Sequence, residues 1–335
     1  MSYLVHSGAV AVMVVAGTAC SNNPADAPPP TISPASAADS PPVTDPPPGE
    51  VHPLRGPGQA STFDRATHTL VVLGTDPAGA SVVTTFPPRA PARTVPLPTA
   101  GSALTGDDLG TAYVSTRGGY FRVDVLTGDA TRMDVEGARN TDFTAIARRD
   151  DGNVVLGSAD GAVYTLSSDT TIAARLQIFA RVDALVAQGD RVVVLDRGQT
   201  SVTTVDASGT RAEHALRAGD GATTIAADSA GRVLVADTRG DELLVFGVDP
   251  LMLRQRYPVP GAPYGLTGSG KLAWVSETAA NSVVGYDLAT GIPVEKVRYR
   301  TVRQPNSLAF DDDTGTLYVV SGSGAGVQVI TGAPR

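Results

Sequence analysis

The stretch NSLAFDDDTGTLYVVS, Asn306–Ser321, reads as two short apolar strands joined by a polar turn. Leu308 and Phe310 open it, Asp-Asp-Asp-Thr-Gly breaks it, and Leu-Tyr-Val-Val resumes it. Clusters of Asp, Thr and Gly between β-branched and aromatic runs are the signature of a hairpin. The same phrase recurs as TTIAADSAGRVLVAD (Thr223–Asp237) and TAIARRDDGNVVLGS (Thr144–Ser158). Aligned on Leu308, seven copies place Ser61, Leu104, Ile146, Leu185, Ile225, Leu266 and Leu308 about forty residues apart. A strand-only repeat of that length predicts a β-propeller, because one such sheet cannot bury both faces until neighbours stack on it. The fold class is therefore all-β, a seven-bladed β-propeller.

Within each copy the polarity rises in chain order. Second strands such as Val192-Val-Val-Leu195 and Leu317-Tyr-Val-Val320 are continuous apolar runs, as expected for strands packed on both faces. Fourth strands such as Arg211–Arg217 and Val294–Tyr299 are polar, as an exposed edge requires. The seventh copy ends at Ile330 without a fourth strand, whereas EVHPLRG (Glu50–Gly56) precedes the first copy. That segment resembles the fourth strand EHALRAG (Glu213–Gly219), so residues 50–56 are expected to complete the last blade and close the ring. Pro53 is tolerable there because the strand is an outer edge.

AWVSETAANSVVGYDLATG (Ala273–Gly291) resembles a repeat of the YVTN propeller family in its aromatic-Val, Asn-x-Val and Asp-x-x-Thr-Gly elements. The looser copies resemble NHL and SMP-30 repeats. Over residues 50–331 the chain is similar to the LppL group of mycobacterial lipoproteins. TDFTAIARR (Thr141–Arg149), LDRGQTSVTT (Leu195–Thr204) and QPNSLAF (Gln304–Phe310) carry that likeness. The resemblance implies a lipid-anchored envelope propeller and brings no activity with it.

The N-terminal fifty residues have another character. Gly8–Ala19 is an apolar run too short to span a bilayer and fits the core of a signal peptide. It leads through small residues into Cys20, the only cysteine of the 335 residues. Residues 1–19 are thus expected to be a lipoprotein signal and Cys20 the lipidated residue, the alternative being a cleaved secretory signal with an incidental cysteine. Residues 20–49 are rich in Pro, Ala, Ser and Thr without apolar periodicity, and are expected to be a disordered, extended tether. At ~3.1 Å per residue such a tether reaches up to roughly 90 Å. The propeller domain then spans residues 50–335. The expected location is the outer side of a cell membrane, as a monomer, with an envelope protein or anionic glycan as partner.

Chemistry is sparse. The net charge of −8 disfavours nucleic acid as a partner, which needs a basic footprint. His6, His52, His68 and His214 lack metal-ligand spacing, and the chain has neither a Gly-x-Ser-x-Gly elbow nor a P-loop. The single Trp, Trp274, argues against a quinoprotein propeller and fits a core position. SMP-30-like lactonases hold a cation at the propeller axis with carboxylate and Asn ligands. The matching positions here are Gln59, Ser102, Thr144, Asp183, Thr223, Tyr264 and Asn306, with one carboxylate among them. A polar ring plugging the axial channel is expected, with Asp183, Asn306 and Gln59 the alternative cation ligands. No metal, cofactor or catalytic residue is assigned.

Charge separates by face. Turns between second and third strands, and blade-to-blade connections, emerge on one face, called the top; they carry Arg117, Arg139, Arg181, Arg197, Arg217, Arg239, Arg300 and Arg303. Bottom turns carry Asp107, Asp108, Asp150, Asp151, Asp190, Asp228, Asp249 and Asp311–Asp313, with Arg148, Arg149 and Lys271 as exceptions. Arg-Gly recurs at Arg117, Arg197 and Arg239. These guanidinium groups either brace carbonyls and carboxylates such as Asp196 and Asp237, or form an anion-binding ring. The sequence thus offers two functions: a binding or scaffolding module, or a lactonase- or strictosidine-synthase-like hydrolase with a cation at the axis.

Overall fold

The computed structural model describes residues 30–335; the signal segment and Cys20 lie outside them. Seven four-stranded antiparallel sheets form the blades of a propeller. The inner strands are Gly58–Asp64, Gly101–Gly106, Phe143–Arg148, Ala184–Gln188, Ala222–Ala227, Pro263–Gly268 and Pro305–Asp311. They define blades 1 to 7.

The ring closes as its missing strand requires. Glu50–His52 pairs antiparallel with Val327–Ile330, Glu50 opposite Val329 and His52 opposite Val327. The closing strand is shorter than residues 50–56, because Pro53 has no N–H to continue the ladder. Gly49 enters it with φ +82°, and a Cβ there would lie 2.1 Å from the Val329 carbonyl oxygen. Only glycine combines that conformation with that approach.

Apolar contact lies between blades. The second strand of blade 5, Arg232–Asp237, is buried from Val233 onward, while the outer strand of blade 6, Val294–Arg300, has no buried residue. Trp274 is fully buried at the blade 6–7 seam, 5.8 Å from Phe310 and 6.2 Å from Tyr299 between ring centroids. It is a core residue, as its second-strand position suggests.

One segment departs from expectation. Residues 30–49 have almost no regular secondary structure, consistent with their proline content, but they are not a free tether. They lie along the top face over blades 4 to 7, with Ala35 and Ser40 buried. Composition argued for disorder because the segment has no apolar period of its own. It is held instead by polar groups of the propeller that satisfy its main chain.

Candidate functional site

A cavity of about 730 Å³ runs along the propeller axis. All seven ring residues, Gln59, Ser102, Thr144, Asp183, Thr223, Tyr264 and Asn306, line it. The backbone explains how. In every blade but the fourth, the inner strand shifts register at or beside the ring position. Such a bulge leaves one residue outside the ladder and turns its side chain. Blade 4 stays in register, and Asp183 stands just before its inner strand.

Several hydroxyls near the axis stitch blade to blade. Thr144 donates to the Val182 carbonyl, Thr224 to that of Tyr264, and Ser276 to that of Pro305. Ser61 and Ser307 share a hydrogen bond of 2.8 Å across the closing seam. Part of this polar lining is therefore structural.

Asp183 is mostly buried, and burial is the main cause that raises its pKa above the usual carboxylate range. Its oxygens accept from the Arg197 main-chain N–H at 2.8 Å and the Arg181 Nε at 3.1 Å. Asn306 Oδ1 accepts from Gln304 Nε2 at 3.1 Å. These residues do not fit a hard cation: the single carboxylate is already matched by cationic and main-chain donors.

The three Arg-Gly arginines do not form one ring. Arg117 and Arg197 stand one residue past the end of their second strands, Arg239 two. Arg117 is exposed and donates to the Asn140 carbonyl at 3.2 Å. Arg239 donates to the Asp220 carbonyl at 3.1 Å and to that of Ser33 at 2.7 Å. Arg197 reaches the Ala35 carbonyl, and it lines the axial cavity. All three thus bind carbonyls. The buried Asp196 and Asp237 are occupied otherwise: Asp196 accepts from the N–H of Ala180, Arg181 and Gln199, and Asp237 from those of Asp220, Gly221 and Gly240.

The bottom face holds further cations besides the exceptions Arg148, Arg149 and Lys271. Asp107, Asp228 and Asp311 each accept a hydrogen bond from the N–H two residues on, so they are turn-forming residues. Their recurrence follows from hairpin chemistry. Arg65, Arg191 and Arg232 also lie at this end, paired with Asp108, with Glu213 and Asp249, and with Asp228. His68, Asp311 and Asp313 bring ligand atoms within 4.8 Å of one another at the blade 1–7 rim. Asp311 there already accepts from the Asp313 N–H and the Thr314 hydroxyl. Sequence spacing could not find this group, because ring closure is what joins its halves.

No family model and no curated protein matches the chain. Solved structures do. Streptogramin B lyase superposes with a TM-score of 0.68 at 12% identity, covering 85% of this chain and 96% of that one. A catalytically inactive histidine-to-alanine variant of virginiamycin B lyase from Staphylococcus aureus, with quinupristin, gives 0.67 at 12% identity, covering 84% and 97%. The structure of U3-55K gives 0.70 at 10%, covering 84% and 97%. What they share with this chain is the fold. They support the propeller repeats and carry no sign of the mycobacterial lipoprotein group.

Proposed function

We propose that this chain is a binding module of a bacterial envelope, lipid-anchored through Cys20, that presents its axial cavity and top face to an anionic ligand or a protein partner. One observation carries the reading. At its top mouth the cavity is ringed by hydroxyl and amide side chains around one already matched carboxylate, Asp183, with Arg197 beside it. Below lie apolar residues such as Ile146 and Leu308, and the lining also takes in Arg65, Arg148, Asp108, Asp228 and Asp312. Such a lining can hold a polar ligand, and among the described residues none of its hydroxyls is hydrogen-bonded to a carboxylate or a histidine, as an activated nucleophile would be. His52, His68 and His214 are not among the lining residues. With residues 31–49 held on the top face, the chain from Cys20 to Thr31 spans at most roughly 40 Å, so the top face would be turned toward the membrane. The test is a binding screen of phosphorylated, carboxylated and glycan ligands against the Arg117→Ala, Arg197→Ala, Arg239→Ala triple variant. A tenfold or greater loss of affinity in the folded variant is expected; unchanged affinity removes the arginine face from the proposal.

A second reading, a hydrolase or lyase working at the axis, draws on the lyases among the structural neighbours. It would rest on Asp183, whose raised pKa keeps a proton longer than an exposed carboxyl would. Metal analysis of the purified protein, with a lactone-hydrolysis assay in added Ca²⁺ or Zn²⁺, separates the two readings. Turnover lost in Asp183→Asn would favour the enzyme.

A further inference from the structure

The segment lying on the top face shows what that face can recognise. Its contacts are almost all with main chain. Gln304 clamps it as an amide clamps an extended strand: Nε2 donates to the Ala38 carbonyl at 2.8 Å, and Oε1 accepts the Ser40 N–H at 3.1 Å. Upstream, the Ile32 N–H donates to the Gly198 carbonyl at 2.7 Å. Asn281 and Arg303 take the carbonyls of Pro41 and Ser40. Arg197 and Arg239 complete the row at Ala35 and Ser33.

Two side chains are also fitted. Ala35 packs on Gly221, where an added Cβ would lie 3.0 Å from the Ala35 Cβ. The Ser40 hydroxyl is buried, donating to the Thr278 carbonyl at 2.5 Å and accepting the Gln304 N–H at 3.0 Å. Regularly placed donors and acceptors for an extended backbone, with pockets sized for Ala and Ser, are the elements of peptide recognition by main chain. Proline on both sides, at Pro34 and Pro41, pre-extends the segment and lowers the entropy lost on docking.

The geometry points to a peptide-binding top face: a groove over blades 4 to 7 that takes an extended, small-residue, proline-flanked polypeptide through its main chain, and that residues 32–41 fill in cis. This rests on the proposed binding role and names its partner class. The groove is coupled to the axis, since Arg197 lines the cavity and Gln304 bonds the lining residue Asn306. A free peptide of this kind must displace the resident segment, whose tethering gives it a high effective concentration.

The test uses the full chain and a fluorescent peptide of residues 31–43, TISPASAADSPPV. Ala35→Trp with Ser40→Val removes the fit of the resident segment without touching a blade. Released, that segment should show main-chain hydrogen exchange at Ile32, Ala38 and Ser40 at least tenfold faster than in the native chain. The peptide should bind the released variant at least tenfold tighter than it binds the native chain. Gln304→Ala in the released background, or N-methylation of the peptide at Ser40, should abolish that gain. Free exchange of these amides in the native chain overturns it, as does a released groove that binds no peptide. If the peptide fails while arginine-dependent anion binding persists, this inference falls and the binding role stands; if both fail, both fall.

Discussion

Arg117 and Arg239 carry the same dipeptide on the same face, yet their surroundings differ. Over blade 2, Arg117 lies exposed and braces only the neighbouring connection at Asn140. Over blade 5, Arg239 braces its neighbouring connection at Asp220 and spends a second nitrogen on the segment that crosses the face. The shared part is structural: a planar guanidinium with several fixed donors holds the carbonyl of a blade-to-blade connection. What differs is the use of the remaining donors. Among the described residues, one half of the top face is an occupied groove, and no segment crosses the other. Charge alone would have assigned both halves one role.

The widest gap between the halves should appear at the ends of the second strands. Asp237 is fully buried and accepts three main-chain N–H bonds that shape the loops beneath the groove. Asp237→Ala leaves those donors unmatched and should destabilise the chain by about 3 kcal/mol in denaturant unfolding, since hydrogen bonds to a charged group contribute more than neutral ones. Thr116 ends the equivalent strand of blade 2 and donates to the Ala100 carbonyl. Thr116→Ala should cost only about 1 kcal/mol. Equal costs would break the distinction between an organised and an open half.

A smaller effect should separate the axial end of the groove by pH. Asp183 has its pKa raised, chiefly by burial, so the folded chain holds that proton to higher pH than the unfolded chain does. Between the ordinary carboxylate range and the raised value the native state binds more protons, so stability falls as pH rises through that window. Asp183→Asn removes this titration. The melting temperature of the variant minus that of the native chain should therefore become more positive from pH 3 to pH 7. A difference that is flat, or that falls with pH, would show that the Arg197 N–H and Arg181 outweigh burial at this carboxylate.

The blades were legible in the sequence because their cause is local and repeated. Apolar runs at Val192–Leu195 and Leu317–Val320, turns at fixed offsets and a missing last strand all sit in the chain itself. The ring residues were legible for the same reason, although the bulges that turn Gln59 and Asn306 to the axis depend on pairing that no single strand records. The bottom aspartates were visible but read as charge, when Asp228 and Asp311 serve mainly as turn formers. The groove was not legible at all. Its recognition runs through main-chain groups, and its chief reader, Gln304, lies about 260 residues from its targets Ala38 and Ser40. A proline-rich stretch without apolar period looks disordered when the groups that hold it are elsewhere in the chain.

The finest test of the two halves compares the arginines themselves. Arg239→Ala removes the bond to the Ser33 carbonyl but leaves the Gln304 clamp and the Ala35 contact in place. An exposed, charge-assisted bond of this kind contributes on the order of 0.5–1 kcal/mol. Exchange at the Ile32 amide, which depends on the segment staying down, should therefore quicken roughly two- to fivefold, while exchange at Ser40 beyond the clamp should change less. Arg117→Ala makes no contact with the segment and should leave both amides unchanged, with a stability change within about 0.5 kcal/mol. If Arg117→Ala frees the segment as much as Arg239→Ala does, the two arginines act through the net charge of the face, and the contrast between a groove and an open surface is wrong.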